Sequence, residues 1–133
     1  MATSLVLTRL DYGSTNLAGI SGRLLDHLQS VLNAAARLVC DGRNYHHISP
    51  LLRDLHWLHV PQRIKFRLAV LVYRCRNNTA PEYLSRDLQW AADSDSRRRL
   101  RSSSTRKLMV PRTRLKTVGD RAFGAAAAAR VWR

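Results

Sequence analysis

Cysteine is scarce, with Cys40 and Cys75 the two in 133 residues. Each stands alone in helix-like sequence. Two isolated thiols build no disulfide framework, which excludes a small secreted scaffold stapled by bridges and points to a reducing compartment. Long apolar runs are missing as well. The first ten residues hold an apolar stretch only at 5–7 before Arg9 and Asp11 interrupt it, so neither a signal peptide nor a membrane span is expected. The protein is expected to be soluble and intracellular, nuclear or cytoplasmic, with no membrane partner. Acidic residues number nine, and no two are adjacent. Carboxylates that converge on two metal ions, as phosphoryl transfer requires, are therefore not evident.

What is abundant is arginine. The chain carries 23 Lys and Arg and a formal charge of +14, and only Lys65, Lys107 and Lys116 are lysine. Arginine suits planar, bidentate contact with phosphate and stacking on bases, so a polyanion is the first expected partner. A GC-rich codon bias would produce the same composition. The charge is uneven: residues 1–92 carry 11 basic and 6 acidic side chains, a net +5, and residues 93–133 carry 12 and 3, a net +9.

Apolar residues recur at helical spacing. Residues 4–17 read as a weak helix, broken by Gly13, Ser14 and Thr15. From Ser21, read as an N-cap, Leu24, Leu25, Leu28, Val31, Leu32, Ala35, Leu38 and Val39 predict one apolar face on a helix over 22–40, stopped by Asp41-Gly42. Asp26 near its start and Arg37 near its end suit the helix dipole. Ser49-Pro50 predicts a short helix over 50–56, and Pro61 opens another over 61–77. In the latter, Ile64, Leu68, Leu71, Val72 and Cys75 share one face, while Arg63, Lys65, Arg67, Arg74 and Arg76 fall largely elsewhere. A further helix is expected over 81–90. Residues 93–104 turn to Ser, Arg and Asp with almost nothing apolar, the composition of a linker. An extended segment over 108–115 and an alanine-rich helix over 119–132 complete the reading.

Several strings are more specific than any periodicity. They are Leu10-Asp11-Tyr12 with Leu17-Ala18-Gly19, Leu28-Gln29 with Asn33-Ala34-Ala35-Ala36-Arg37-Leu38, and His47-Ile48-Ser49-Pro50-Leu51-Leu52-Arg53-Asp54-Leu55-His56-Trp57-Leu58. In the same order follow Arg63-Ile64-Lys65-Phe66, Ala80-Pro81-Glu82-Tyr83-Leu84, Leu100-Arg101-Ser102-Ser103-Ser104, Val110-Pro111-Arg112-Thr113-Arg114-Leu115-Lys116 and Gly119-Asp120-Arg121-Ala122-Phe123. The series resembles the region after the palm in reverse transcriptases of non-LTR retrotransposons, the long interspersed elements of chicken-repeat and LINE-2 type, over nearly the whole chain. The resemblance implies a helical thumb and carboxy-terminal extension that help grip template and primer, without catalysis of their own. The family's Tyr-x-Asp-Asp hairpin is absent, and Asp11-Tyr12 lies in a helix-like stretch instead. Departures are Gly13 where related sequences often have Cys, His59 where Trp-Leu-Pro is usual, and an ending at Val131-Trp132-Arg133 where others continue with Asn and Leu-Pro. These read as decay or truncation.

The expected architecture is mostly α: a small thumb-like helical bundle over 1–92, a basic, partly disordered arm beginning with a linker over 93–107, and an extended segment plus a short Ala-rich helix over 108–133. No enzyme activity and no cofactor or metal is expected. Cys40, His46, His47, His56 and His59 could supply zinc ligands but match no compact zinc spacing, and they read as a core thiol and ordinary loop histidines, with His56 capping or packing beside Trp57.

Residues 97–116 hold nine basic side chains and no acidic one. With the helix over 61–77 they give the candidate nucleic-acid contacts Arg63, Lys65, Arg67, Arg74, Arg97, Arg98, Arg99, Arg101, Arg106, Lys107, Arg112, Arg114 and Lys116. If half of the nine neutralised single-strand phosphates, log affinity would fall with log salt at a slope of roughly −3. The run Arg97-Arg98-Arg99-Leu100-Arg101 also fits a nuclear-import signal. Trp57, Tyr73, Tyr83 and Trp90 are candidate base-stacking rings, with Trp57 and Tyr83 read as core or helix-junction anchors. Non-specific, phosphate-driven binding of RNA or DNA is the leading expectation. The alternatives are a translated transposon fossil with no selected activity and a domesticated protein-interaction module that self-associates through exposed apolar helix faces, the 24–39 face above all.

Overall fold

Apolar residues at three- and four-residue spacing become helices in the computed structural model, which describes residues 2–41, 47–91, 107–115 and 117–131. Among these, six α-helices follow one another: α1 (Ala2–Asp11), α2 (Gly22–Val39), α3 (Ile48–Asp54), α4 (Val60–Arg76), α5 (Glu82–Arg86) and α6 (Phe123–Arg130). No strand forms among the described residues, only an isolated antiparallel bridge between Trp90 and Leu108. The chain divides into two compact units, residues 1–64 and 65–133, with the boundary inside α4.

In the first unit, α1 and α3 pack on α2. Leu32 and Ala36 from α2, Leu52 from α3, and Trp57, Val60 and Ile64 beyond it are buried. The weak helix expected over 4–17 is interrupted because Gly13 adopts φ +65°, the left-handed region that costs any residue with a Cβ roughly 1–2 kcal/mol. A 3-10 turn, Ser14–Leu17, follows.

Helix ends explain why the boundaries fall where they do. Ser21 sits at the N-cap of α2 without a side-chain cap bond; its carbonyl accepts from the N–H groups of Leu24 and Leu25 instead. Helix α3 starts at Ile48, two residues before the expected Pro50, so the proline lies in the first turn, where its missing N–H would have had no intrahelical partner. The same helix ends in a Schellman turn. The Trp57 N–H donates to the Leu52 carbonyl at 2.8 Å, the His56 N–H donates to the Arg53 carbonyl at 3.0 Å, and His56 itself takes φ +55°. Leu52 and Trp57, the first and last residues of that turn, are both buried.

Helix α4 repeats the device at its end. The Thr79 N–H reaches the Arg74 carbonyl at 3.0 Å, and Asn78 takes φ +54°. At its start, Gln29 of α2 accepts a hydrogen bond from the Val60 N–H at 2.8 Å while donating to Asn33 at 2.8 Å. That satisfies an amide the helix itself leaves open.

The second unit is built around Val72, Cys75, Leu88, Leu108, Ala127 and Ala128, with Ala80, Leu84, Trp90 and Phe123 packed against them. Residues expected to fall on either side of a linker thus share one core, because Leu108 and the α6 alanines bury their apolar surface against α4 and the stretch after α5. The helix expected to run to Trp90 stops at Arg86 for the same reason. Residues 89–91 are drawn into pairing: the Ala91 N–H donates to the Lys107 carbonyl at 2.9 Å and the Met109 N–H to the Gln89 carbonyl at 2.8 Å. The expected alanine-rich helix begins as a 3-10 turn, Gly119–Arg121, and becomes α6 only at Phe123. Four consecutive alanines of α6, Ala125 through Ala128, are buried.

Candidate nucleic-acid interface

Helix α4 contains five basic residues and no acidic one. Its apolar side is taken up by the buried Ile64, Leu68, Val72 and Cys75. At 3.6 residues per turn the opposite side presents Gln62, Phe66 and Tyr73, all exposed, with Lys65 and Arg76 on one flank and Arg67 and Arg74 on the other, likewise exposed.

The basic residues of α4 are not equivalent. Arg63 is half-buried, and its guanidinium donates to both carboxylate oxygens of Asp11, Nε to Oδ1 at 3.0 Å and Nη2 to Oδ2 at 3.1 Å. Arg67 also has an interaction within the chain. Lys65, Arg74 and Arg76 are exposed, as are Lys107, Arg112 and Arg114 farther along the same unit. The remaining candidates, Arg97, Arg98, Arg99, Arg101, Arg106 and Lys116, lie outside the described residues, as does most of the expected 93–107 linker. The described residues on either side of 92–106 are paired to each other through Ala91 and Lys107.

The aromatic candidates separate. Trp57 is buried and Trp90 half-buried in the second core, as anchors. Tyr83, read from sequence as an anchor, is 68% exposed: α5 is a single short turn and covers little. Tyr73 is 61% exposed, and so, at 58%, is Phe66, which sequence reasoning did not single out. The signal for Phe66 was its seven-residue spacing from Tyr73, opposite the Leu68 and Val72 side.

The thiols differ as well. Cys40, read as a core residue, is half-buried; Cys75 is buried, and desolvation pushes its thiol up, against a smaller opposing effect from the Ser85 hydroxyl. Among the described residues, no three His, Cys, Asp or Glu side chains stand close enough to hold a metal ion. His47, His56 and His59 are exposed, and His46 lies outside the described residues. No described helix is long and apolar enough to cross a membrane.

No protein-family model, curated protein or solved structure matches this chain.

The arrangement supplies a cationic surface on α4 and further exposed cations after the Trp90–Leu108 bridge. Positive charge of this kind attracts phosphate at a distance and holds it by charge-assisted hydrogen bonds.

Proposed function

We propose that this chain is a nucleic-acid-binding module derived from the post-palm region of a non-LTR retrotransposon reverse transcriptase, gripping RNA or DNA through phosphates without catalysing a reaction. The observation that carries the reading is the outward side of α4, where Lys65, Arg74 and Arg76 are exposed on a helix with no acidic residue. Lys107, Arg112, Arg114 and the Arg-rich run at 97–101 extend the charge. The ordered strings shared with the retrotransposon family support the origin.

The test is fluorescence-anisotropy binding of labelled single-stranded RNA and duplex DNA across a salt series. Log affinity falls linearly with log salt, and replacing Lys65, Arg74 and Arg76 together by Gln makes the single-strand slope shallower by about 2, at about 0.7 per phosphate. Gln in place of Arg97, Arg98, Arg99 and Arg101 flattens it further, by about 3. No binding at about 50 mM salt, or a slope indifferent to both sets, refutes the reading.

A second reading rests on α2. Leu24, Val31 and Leu38 recur every seven residues and are all exposed, an apolar stripe of the kind that pairs with a second helix. Self-association of two copies through that stripe would appear as a mass that rises with concentration and returns to monomer in Val31→Glu.

A further inference from the structure

We infer that Phe66 and Tyr73 form a base-stacking platform that makes the cationic face of α4 prefer unpaired over paired nucleic acid. The inference rests on the nucleic-acid reading above and narrows its ligand. Large aromatic side chains contribute most when their apolar surface is withdrawn from water. Yet Phe66 and Tyr73 stay more than half exposed, although they belong to a helix whose other side is buried. Seven residues apart, they stand two helical turns from one another, about 10.5 Å along the axis.

Their setting selects the occupant. Lys65 and Arg76 lie on one flank of the two rings and Arg74 on the other, and α4 offers no carboxylate to repel an anion. A second copy of the chain would bring the same cations and a formal charge of +14 against this face, and like charges set opposite one another are unfavourable. A nucleic acid brings phosphates for the flanks and π-faces for the rings.

Only an unpaired strand can do both, because a duplex keeps its base faces inside the stack. With roughly 3.4 Å of rise per nucleotide, a strand passes from ring to ring in about three steps. The platform accordingly spans about four nucleotides, at the short end of single-strand site sizes.

The experiment compares the full chain with the double variant Phe66→Ala/Tyr73→Ala, with Tyr73→Phe, and with Lys65→Gln/Arg74→Gln/Arg76→Gln. Each is titrated into a labelled twelve-nucleotide oligouridylate and a twelve-base-pair DNA duplex. Circular dichroism and light scattering are recorded for every variant. The double aromatic variant keeps its helicity, loses about tenfold or more in affinity for the single strand, and retains both its duplex affinity and its salt slope. Tyr73→Phe binds like the parent. The lysine and arginine variant weakens both ligands and flattens the slope.

Three outcomes overturn the inference. If the aromatic variant binds the single strand as the parent does, or weakens both ligands equally, the rings do not stack on bases, and the phosphate-binding reading stands without them. If the parent is a dimer and the aromatic variant a monomer, the face is a contact between copies. If the parent binds neither ligand, the nucleic-acid reading falls and the platform with it.

Discussion

Asp11 at the end of α1 and Arg63 in the first turns of α4 are joined by two parallel hydrogen bonds of 3.0 and 3.1 Å, with side chains only 18% and 16% exposed. The pair ties positions 52 residues apart and spends a cation that sequence alone assigned to nucleic acid. Bidentate arginine–carboxylate geometry shielded from water is worth more than a surface pair. Arg63→Gln is expected to cost about 1–3 kcal/mol in urea unfolding, while lowering nucleic-acid affinity less than Arg74→Gln does. Equal losses of affinity in the two variants would show that Arg63 leaves Asp11 to meet the ligand.

His56 occupies the left-handed position of the α3 Schellman turn, at φ +55°. Glycine takes that conformation without a Cβ penalty, so His56→Gly is expected to stabilise the chain by about 0.5–1 kcal/mol, read as a rise in thermal midpoint. Asn78→Gly, at φ +54°, is expected to change little, because asparagine already tolerates this region. A loss of stability in His56→Gly would mean that the imidazole makes an indispensable contact.

Gly124 lets α6 approach the end of α5. A Cβ there would lie 2.6 Å from the Asp87 carbonyl oxygen, a backbone atom that cannot swing aside. Gly124→Ala should therefore cost about 1–3 kcal/mol through the shift it forces. Gly22→Ala is the control, since nothing lies within 4 Å of a Cβ at that position. It should be neutral or stabilise by up to about 1 kcal/mol, and similar losses in both variants would remove the packing explanation.

Burial raises the Cys75 thiol above its ordinary 9.0. The protonated form is the one the fold favours, so this group leaves stability unchanged at neutral pH. Stability falls as pH climbs past 9.0, where the unfolded chain ionises first. Ellman titration at pH 8 should show one thiol, the half-buried Cys40, reacting promptly and Cys75 reacting only as its unit opens. Two thiols reacting equally fast would contradict that burial.

Helix positions were legible because their causes are local. The apolar spacing of α2, the prolines in the first turns of α3 and α4 and the asparagines after α4 act within a few residues, and the bounds of these three helices fall within one or two positions of the expected ones, whereas α1, α5 and α6 are shorter than expected. The 24–39 face was legible as apolar but not as divided. Leu32 and Ala35 are buried while Leu24, Val31 and Leu38 are exposed, a split that depends on how much of the face α1 and α3 can cover.

The candidate site was half legible. Charge and helical period placed Lys65, Arg74 and Arg76 off the stripe of Ile64, Leu68 and Cys75. Nothing local distinguished Arg63 from them, since its partner lies at the far end of the first unit's sequence. Tyr83 read as an anchor by residue type, yet exposure is set by what packs above a ring.

By itself the sequence determined where the helices lie, the bounds of α2, α3 and α4, the surplus of arginine and the cations of α4, since propensity, capping and periodicity operate over a turn or two of chain. Tertiary structure decided the rest: that Asp11 holds Arg63, that Leu108 and the α6 alanines join Val72 and Cys75 in one core, that Ala91 pairs with Lys107, and that Phe66 and Tyr73 stay in solvent. Each depends on which distant surfaces bury one another, a competition for apolar area that no local pattern encodes.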